Sequence, residues 1–128
     1  MEIIKIVTLS ISGLLLLYGG TSRIINPIKN YLKNSGIKLE NEVNVLSEVR
    51  GMSSLMMLGG IIVLLGTIIP ELTITSFVVA ILIFLGYAIG RSLSIVLDGK
   101  PNKLLIQGLI FELVLGSANI FCLVNTLV

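Results

Sequence analysis

The sequence predicts an all-α fold, an integral membrane antiparallel four-helix bundle with a short interfacial helix after the first crossing. Apolar residues make up 55% of the 128-residue chain and charged residues only 12%, and the mean hydropathy is +1.05. A soluble domain carries about twice that charged fraction. The apolar residues also fall into four blocks, each near the roughly 20 residues with which a helix crosses a bilayer. Short gaps between the last three blocks require antiparallel neighbours.

The first crossing is expected over about residues 3–25, where only Lys5 and small residues interrupt the apolar stretch. Its beginning resembles a signal peptide, but no small-x-small cleavage site follows, so we expect a helix that is retained. Arg23 lies near its far end and is expected to extend to the lipid headgroups. Asn26-Pro27 then ends the helix, because the residue before a proline disfavours the helical region.

Residues 28–44 form the one substantial loop. Apolar and aromatic side chains share one helical face at its start and lysines flank that face: Ile28, Lys29, Tyr31, Leu32 and Lys33. This pattern predicts a short helix that lies in the membrane interface, with tyrosine and lysine at headgroup depth. Either Asn41 or Asn44 is a candidate N-cap for the helix that follows.

The second and third crossings are expected over about residues 45–69 and 73–97, separated by Pro70-Glu71. A gap this short demands an antiparallel hairpin. A tight corner at Asp98–Asn102 leads into the fourth crossing, over about residues 103–124. The whole chain, residues 1–128, is therefore expected to form a single transmembrane domain.

Positive charge is distributed unequally between the two sides of the predicted bundle. Of the 9 Lys and Arg residues, only Lys5 lies on the side of the termini. The others lie on or near the two loops: Arg23, Lys29, Lys33, Lys38, Arg50, Arg91, Lys100 and Lys103. The positive-inside rule therefore places both loops in the cytoplasm and both termini outside it.

Two charged residues lie deep inside apolar blocks. Arg91 is about 9 Å inside the end of the third crossing, and Glu112 is about 13 Å into the fourth. Charge at such depth is costly and is normally paired or turned into a water-lined cavity. We therefore expect Arg91 to pair with Glu112 in the cytoplasmic half of the membrane. The predicted polar cluster, either ligand-binding or structural, comprises Glu48, Arg50, Tyr87, Arg91, Ser94, Asp98 and Glu112.

Two readings of this cluster remain open. A buried ion pair can fix helix order and register without binding anything. An intramembrane charge is equally a hypothesis of a functional site. Arg50 points about 160° away from Glu48 if both are helical, so it either reaches lipid phosphate or bends inward.

The residue types present exclude several classes of function. The chain has no His and a single cysteine, Cys122, so an internal disulfide is impossible and zinc, haem and iron–sulfur sites lack ligands. We expect no cofactor, no catalytic residues and no enzymatic activity, because no nucleophile–base pair is visible. A net charge of +2 is too small to indicate nucleic acid as a partner.

Three stretches and one residue downstream carry a family resemblance: Glu48-Val49-Arg50-Gly51, Gly90-Arg91-Ser92-Leu93-Ser94, Asp98-Gly99-Lys100-Pro101 and Glu112. They resemble a bacterial family of small four-helix integral membrane proteins catalogued only as a domain of unknown function. In architecture alone, the chain is also similar to the DoxX-like group. The resemblance implies that six residues are characteristic polar positions of the family: Glu48, Arg50, Arg91, Ser94, Asp98 and Glu112. It also implies a bacterial inner (cytoplasmic) membrane, and it supplies no activity.

Two functions compete. In the first, the protein binds or carries a small amphipathic molecule or lipid: Arg91 binds an anionic or carbonyl group, Glu112 orients it and Tyr87 adds an aromatic wall. In the second, the protein is a non-catalytic accessory subunit of a larger membrane complex, or a homo-oligomer. Gly86 and Gly90 favour such lateral packing, because small residues four apart let another helix approach closely. Membrane lipids are the expected partners in both cases.

Overall fold

A computed structural model of the protein describes residues 2–128, and these residues form helices without any strand. The helices are α1 (Glu2–Ile25), α2 (Pro27–Ser35), α3 (Val43–Leu65), α4 (Thr73–Asp98) and α5 (Lys103–Leu127). A single 3-10 turn, Pro70–Leu72, precedes α4. Helices α1, α3, α4 and α5 are each long and apolar enough to cross a membrane, and they pack against one another. The predicted all-α membrane bundle with a short helix after the first crossing is confirmed.

The two ends of the bundle differ in what they carry. We call the end with both chain termini and the turn at residues 66–72 the terminal end. The opposite end, with α2 and the corner at residues 99–102, is called the loop end. Asn102 Nδ2 donates a hydrogen bond to the Ser35 backbone oxygen at 2.8 Å, so both loops meet at the loop end. This contact is the geometry expected when four crossings alternate in direction.

Helix α3 ends earlier than the sequence predicts, at Leu65 rather than near residue 69. The residue before Pro70 is extended, with φ −103° and ψ 107°, because the proline ring excludes the helical region there. The chain from Gly66 onwards forms tight turns instead, and the Thr73 hydroxyl donates to the Gly66 backbone oxygen at 3.0 Å. The hairpin between α3 and α4 is therefore longer by one turn than the sequence predicts.

The N-cap of α3 is Glu42, so the prediction of Asn41 or Asn44 is wrong. One carboxylate oxygen of Glu42 accepts from the Asn44 amide at 3.1 Å and the other accepts from the Val45 amide at 3.2 Å. A carboxylate offers two acceptors and a negative charge to the positive end of the helix, whereas an asparagine offers one neutral acceptor.

Glycines bring α1 and α3 into backbone contact. A Cβ added at Gly60 would lie 2.6 Å from the Leu17 amide nitrogen, and one at Gly20 would lie 2.6 Å from the Met57 amide nitrogen. Only a residue without a side chain permits this approach, which is the usual means of packing helices in lipid. A Cβ at Gly86 or Gly90 on α4 would meet nothing within 4 Å, so no described part of the chain packs on that predicted pair.

The best-packed core lies in the half of the bundle nearer the terminal end. Its fully buried apolar side chains there include Leu9, Val63, Phe77 and Cys122. Two buried hydrogen bonds cross between helices in the same half. Asn119 Nδ2 donates to Ser12 Oγ at 3.0 Å, and Ser76 Oγ donates to the Ile62 backbone oxygen at 2.8 Å. The half nearer the loop end is packed less completely, and the intramembrane charges lie there.

Candidate functional site

An ion pair joins α4 to α5 in the loop-end half of the bundle. Arg91 Nε lies 2.8 Å from Glu112 Oε1, and the two side chains are 25% and 13% exposed. The contact is an ion pair and not an aligned hydrogen bond, because neither atom has a hydrogen-bond partner within residues 2–128. The pair therefore neutralises Glu112 while the terminal N–H groups of the guanidinium stay available to other acceptors.

The Tyr87 ring lies beside this ion pair. Tyr87 precedes Arg91 by one turn of α4, and the Arg91 Cζ atom lies 5.5 Å from the ring centroid. A guanidinium at this distance is attracted to the face of an aromatic ring. Tyr87 therefore helps to fix the plane of the Arg91 side chain, and it forms one wall of the space next to it.

That space is a groove of about 510 Å³ between α3 and α4. Most of its lining residues are apolar or small, and the two polar ones, Tyr87 and Arg91, are one turn apart on α4. The lining comprises Met52, Leu55, Met56, Ile83, Gly86, Tyr87, Gly90 and Arg91. The groove is open to the surroundings because Gly86 and Gly90 carry no side chains that would fill it. Arg91 also borders a smaller space of about 200 Å³ that reaches Ile37 and Pro101 at the loop end. It is the one residue that lines both spaces.

Arg23 belongs to the same region, although the sequence analysis assigned it to the lipid headgroups. Its Cζ atom lies 4.6 Å from the Tyr31 ring centroid, and its Nη2 lies 3.5 Å from Ser35 Oγ. Its Nε is buried and has no hydrogen-bond partner within residues 2–128. The loop-end half of the bundle therefore contains a second partly buried guanidinium group, which packs on Tyr31.

A signal for Arg23 exists in the sequence, but it is indirect. Asn26-Pro27 turns the chain sharply after α1, and the Asn26 side chain caps α2 by accepting from the Lys29 amide at 3.3 Å. Helix α2 consequently folds back on the end of α1 and places Tyr31 beneath Arg23. An arginine followed by a proline break and an amphipathic helix is the pattern that would have indicated this contact.

The structure does not bring the other predicted residues into contact with the ion pair. Arg50 Nε donates to the Ile24 backbone oxygen at 3.1 Å, and so satisfies a carbonyl that the end of α1 leaves unpaired. Ser94 Oγ donates to Asp98 Oδ2 at 3.0 Å, an exposed contact within one helix. Glu48 is exposed and makes no side-chain hydrogen bond or ion pair with any residue from 2 to 128. Glu48, Arg50, Ser94 and Asp98 therefore lie outside the contact network of Arg91.

Three of the predicted residues remain, since Arg91 contacts Tyr87 and Glu112, and the sequence did not predict the second contact group of Arg23 with Tyr31. We call these five residues, which come from four helices, the arginine cluster: Arg23, Tyr31, Tyr87, Arg91 and Glu112. The cluster offers hydrogen-bond donors, two aromatic faces and one carboxylate. No group of three or more His, Cys, Asp or Glu side chains that would hold a metal ion occurs among the described residues. Arg91 and Tyr87, the members of the cluster that line the apolar groove, can recognise a hydrogen-bond acceptor there.

Comparison with known proteins gives one match. The sequence model of a family described as a domain of unknown function, DUF4345, matches residues 4–123. No curated protein and no solved structure matches the chain. The matched range contains every residue of the arginine cluster and nearly all of the four long helices.

Proposed function

The chain belongs to the DUF4345 family of domains of unknown function, and we propose that this multi-pass membrane protein binds or carries a small amphipathic molecule or a membrane lipid. The polar part of the ligand contacts Arg91 in a pocket that faces the cytoplasm. Its apolar part lies in the groove between α3 and α4. The single observation that carries the proposal is the presence of Arg91 and Tyr87 in the wall of an otherwise apolar groove.

The size and chemistry of the groove support an amphipathic ligand. Its volume of about 510 Å³ lies within the range of small-molecule sites, and such sites usually combine an apolar wall with a few placed polar groups. Here the polar groups are Arg91 and Tyr87, and Met52 and Met56 provide an adaptable apolar wall. In a bilayer, the open side of the groove faces lipids, which are themselves amphipathic molecules.

We propose binding without catalysis. The Glu112 carboxylate is held by Arg91, which opposes its use as a general base. Cys122 is fully buried in the terminal-end half and lies away from the arginine cluster, so it does not act as a nucleophile there. We therefore assign the polar residues of the groove, Tyr87 and Arg91, to ligand binding.

Filling the groove tests the proposal. Gly86→Leu introduces a side chain into the groove, and no described atom lies within 4 Å of the position that its Cβ takes. Gly108→Leu is the matched control: Gly108 is also helical with nothing within 4 Å, and it does not line the groove. Native mass spectrometry of protein purified in nanodiscs is expected to detect a bound amphiphile in the wild type and in Gly108→Leu. Gly86→Leu is expected to lose it.

Two results would refute ligand binding in the groove. One is equal retention of the amphiphile by all three proteins, because blocking the space would then have no effect. The other is a wild-type protein that carries no ligand after extraction directly into nanodiscs, where endogenous lipids are kept. Folding of each variant is checked by its far-UV circular dichroism and elution volume.

The second candidate function is that of an accessory subunit, and the open surface at Gly86 and Gly90 favours it. Both glycines are exposed and leave room for the backbone of another helix. In that case a protein helix, from a larger complex or a second copy of the chain, occupies the groove. Native mass spectrometry separates the two functions, because Gly86→Leu then removes a mass of several kilodaltons instead of a lipid.

We further propose that the loop end faces the cytoplasm of a bacterial cell and that the termini lie outside it. The excess of Lys and Arg at the loop end supports this orientation. Single cysteines at Lys38 and Glu71, in a Cys122→Ala background, test it. A membrane-impermeant maleimide added to intact cells is expected to label Glu71→Cys, and Lys38→Cys only after lysis. The reverse pattern would overturn the orientation.

A further inference from the structure

The ion pair between Arg91 and Glu112 sets the charge that a ligand meets in the groove. We propose that the groove takes an uncharged lipid and that Arg91 recognises a neutral carbonyl group of that lipid, such as an ester, in preference to an anion. This inference rests on the proposed ligand-binding function and deepens it by naming the ligand class. Glu112 thereby becomes a residue that determines specificity through Arg91.

The charge balance at the groove is the first argument. Arg91 is the one charged residue in the lining of the groove, and its Nε lies 2.8 Å from Glu112 Oε1. An ionised pair has no net charge, so a neutral ligand leaves the balance unchanged. An anion would add a negative charge that no residue of the lining compensates. Such a charge is costly inside a membrane.

Arg23 does not alter this balance. It is the other guanidinium group of the loop-end half, but it lines neither of the two spaces that Arg91 lines. Its contacts are with the Tyr31 ring, 4.6 Å from its Cζ atom, and with Ser35 Oγ, 3.5 Å from its Nη2. An anion in the groove would therefore meet the guanidinium of Arg91 alone, and Glu112 already holds that group.

The donors left on Arg91 suit a carbonyl oxygen. A guanidinium group has five N–H donors, and Glu112 lies against the one on Nε. Glu112 lines neither of the spaces that Arg91 lines, so the carboxylate does not occupy the groove. A hydrogen bond from a charged donor to a neutral acceptor is stronger than one between two neutral groups. A ligand made only of hydrocarbon would forgo that bond.

The rest of the groove indicates where the carbonyl group comes from. Gly86 and Gly90 leave the groove open, and the wall opposite them on α3 is apolar, with Met52, Leu55 and Met56. An ester of an uncharged lipid combines a carbonyl group with a long apolar chain. One molecule of this class therefore places its ester at Arg91 and its chain along α3.

Competition between probes of equal chain length tests the inference. The probes are a fatty acid methyl ester, an alkyl sulfonate and an alkyl methyl ether, and each carries a single polar group. They are offered in equal amounts to the protein in dodecyl maltoside, a detergent without carbonyl groups, and native mass spectrometry gives the ratios bound. The wild type is expected to prefer the ester over the sulfonate by about tenfold, the scale of one hydrogen bond to a charged group. It is expected to prefer the ester over the ether by a smaller factor.

Two variants with the same change in net charge isolate the effect of the ion pair. Glu112→Gln keeps the size of the side chain and leaves the Arg91 charge uncompensated, so it is expected to reverse the preference in favour of the sulfonate. Glu48→Gln is the matched control, because Glu48 is exposed and forms no ion pair within residues 2–128. It is expected to keep the wild-type ratios. A pair that serves only to hold α4 against α5 predicts no reversal.

The outcomes separate this inference from the function on which it rests. A wild type that does not bind the ester, or that binds the sulfonate or the ether equally well, would overturn the neutral carbonyl ligand. Equal ratios in Glu112→Gln and Glu48→Gln would overturn the role of Glu112, and if Glu112→Gln does not fold, the wild-type ratios decide. In each case, binding of an amphiphile that Gly86→Leu abolishes would still support the proposed function. Probe binding that Gly86→Leu leaves intact would refute the function and the inference together.

Discussion

The contact between α1 and α3 predicts a large difference between two identical substitutions. In Gly60→Ala the added Cβ would lie 2.6 Å from the Leu17 amide nitrogen and 2.9 Å from the Gly13 backbone oxygen. Favourable contact between heavy atoms needs about 3.5 Å. Both neighbours are backbone atoms of a helix, so the clash is relieved only if α1 and α3 separate. In Gly86→Ala the same methyl group would meet nothing within 4 Å.

The size of the effect follows from this pairing. Replacing glycine by alanine inside a helix contributes about 0.5–1 kcal/mol of stability, and this contribution is common to both variants. The difference between the variants therefore reports the packing cost alone. Overpacking of a close contact typically costs about 1–3 kcal/mol. We expect Gly60→Ala to be less stable than Gly86→Ala by that amount.

Unfolding by sodium dodecyl sulfate in mixed micelles measures the difference. Loss of helical circular dichroism with increasing detergent fraction gives the free energy of unfolding for each variant. Equal unfolding curves for Gly60→Ala and Gly86→Ala would refute the reasoning, because the α1–α3 contact would then be looser than described. A variant at Gly60 more stable than the wild type would do the same.

Two further predictions concern hydrogen bonds that hold the bundle together. Asn119→Ala removes the buried bond to Ser12 and is expected to cost about 1 kcal/mol in the same assay, the usual scale for polar contacts between membrane helices. Asn125→Ala, whose side chain bonds only within its own helix and is exposed, is expected to cost less, and equal costs would contradict the assignment. Asn102→Ala removes both the α5 cap and the bond to the Ser35 backbone oxygen, and is expected to cost about 1–2 kcal/mol and to speed hydrogen exchange at both loops. Asn102→Ser keeps a capping oxygen for α5, so hydrogen exchange is expected to stay slow at the start of α5 and to become faster only at the end of α2. Slow exchange at both places in Asn102→Ala would contradict the bond between Asn102 and Ser35.

The helices were predictable from the sequence because membrane crossing depends on local composition. An apolar block of about 20 residues crosses a lipid bilayer as a helix, because a helix satisfies its backbone hydrogen bonds internally. Arg91 and Glu112 were singled out for a related reason, since charge at that depth is rare and must be compensated. Their pairing was predictable because both lie in the same half of the membrane, a depth that follows from the helical rise per residue.

The contacts between helices were less predictable. Helical periodicity shows which residues share a face but not which helix lies against that face. Gly86 and Gly90 form the more obvious motif, yet the close approach in the structure uses Gly20 and Gly60. Arg50 reaches the Ile24 carbonyl because α1 and α3 are neighbours, and no pattern within α3 reveals that.

Placement of Arg23 and Glu48 shows the same limit at the loop end. Glu48 was predicted to join the polar cluster, but its side chain is exposed on α3. Arg23 has the spacing of a surface residue but is covered by α2, which folds back after Pro27. For Arg23, the short helix α2 therefore decides the environment.

The most extensive helix contacts in the bundle fall within two pairs, α1 with α3 and α4 with α5. Glycine contacts join α1 to α3, and the Arg91–Glu112 pair joins α4 to α5. Bonds that run between these two pairs, Asn119 to Ser12 and Ser76 to the α3 backbone, are concentrated near the termini. At the loop end, the side-chain hydrogen bond from Asn102 to the Ser35 backbone oxygen joins the start of α5 to the end of α2. Loss of this one bond therefore leaves the loop-end half with fewer polar contacts between the two pairs than the half near the termini.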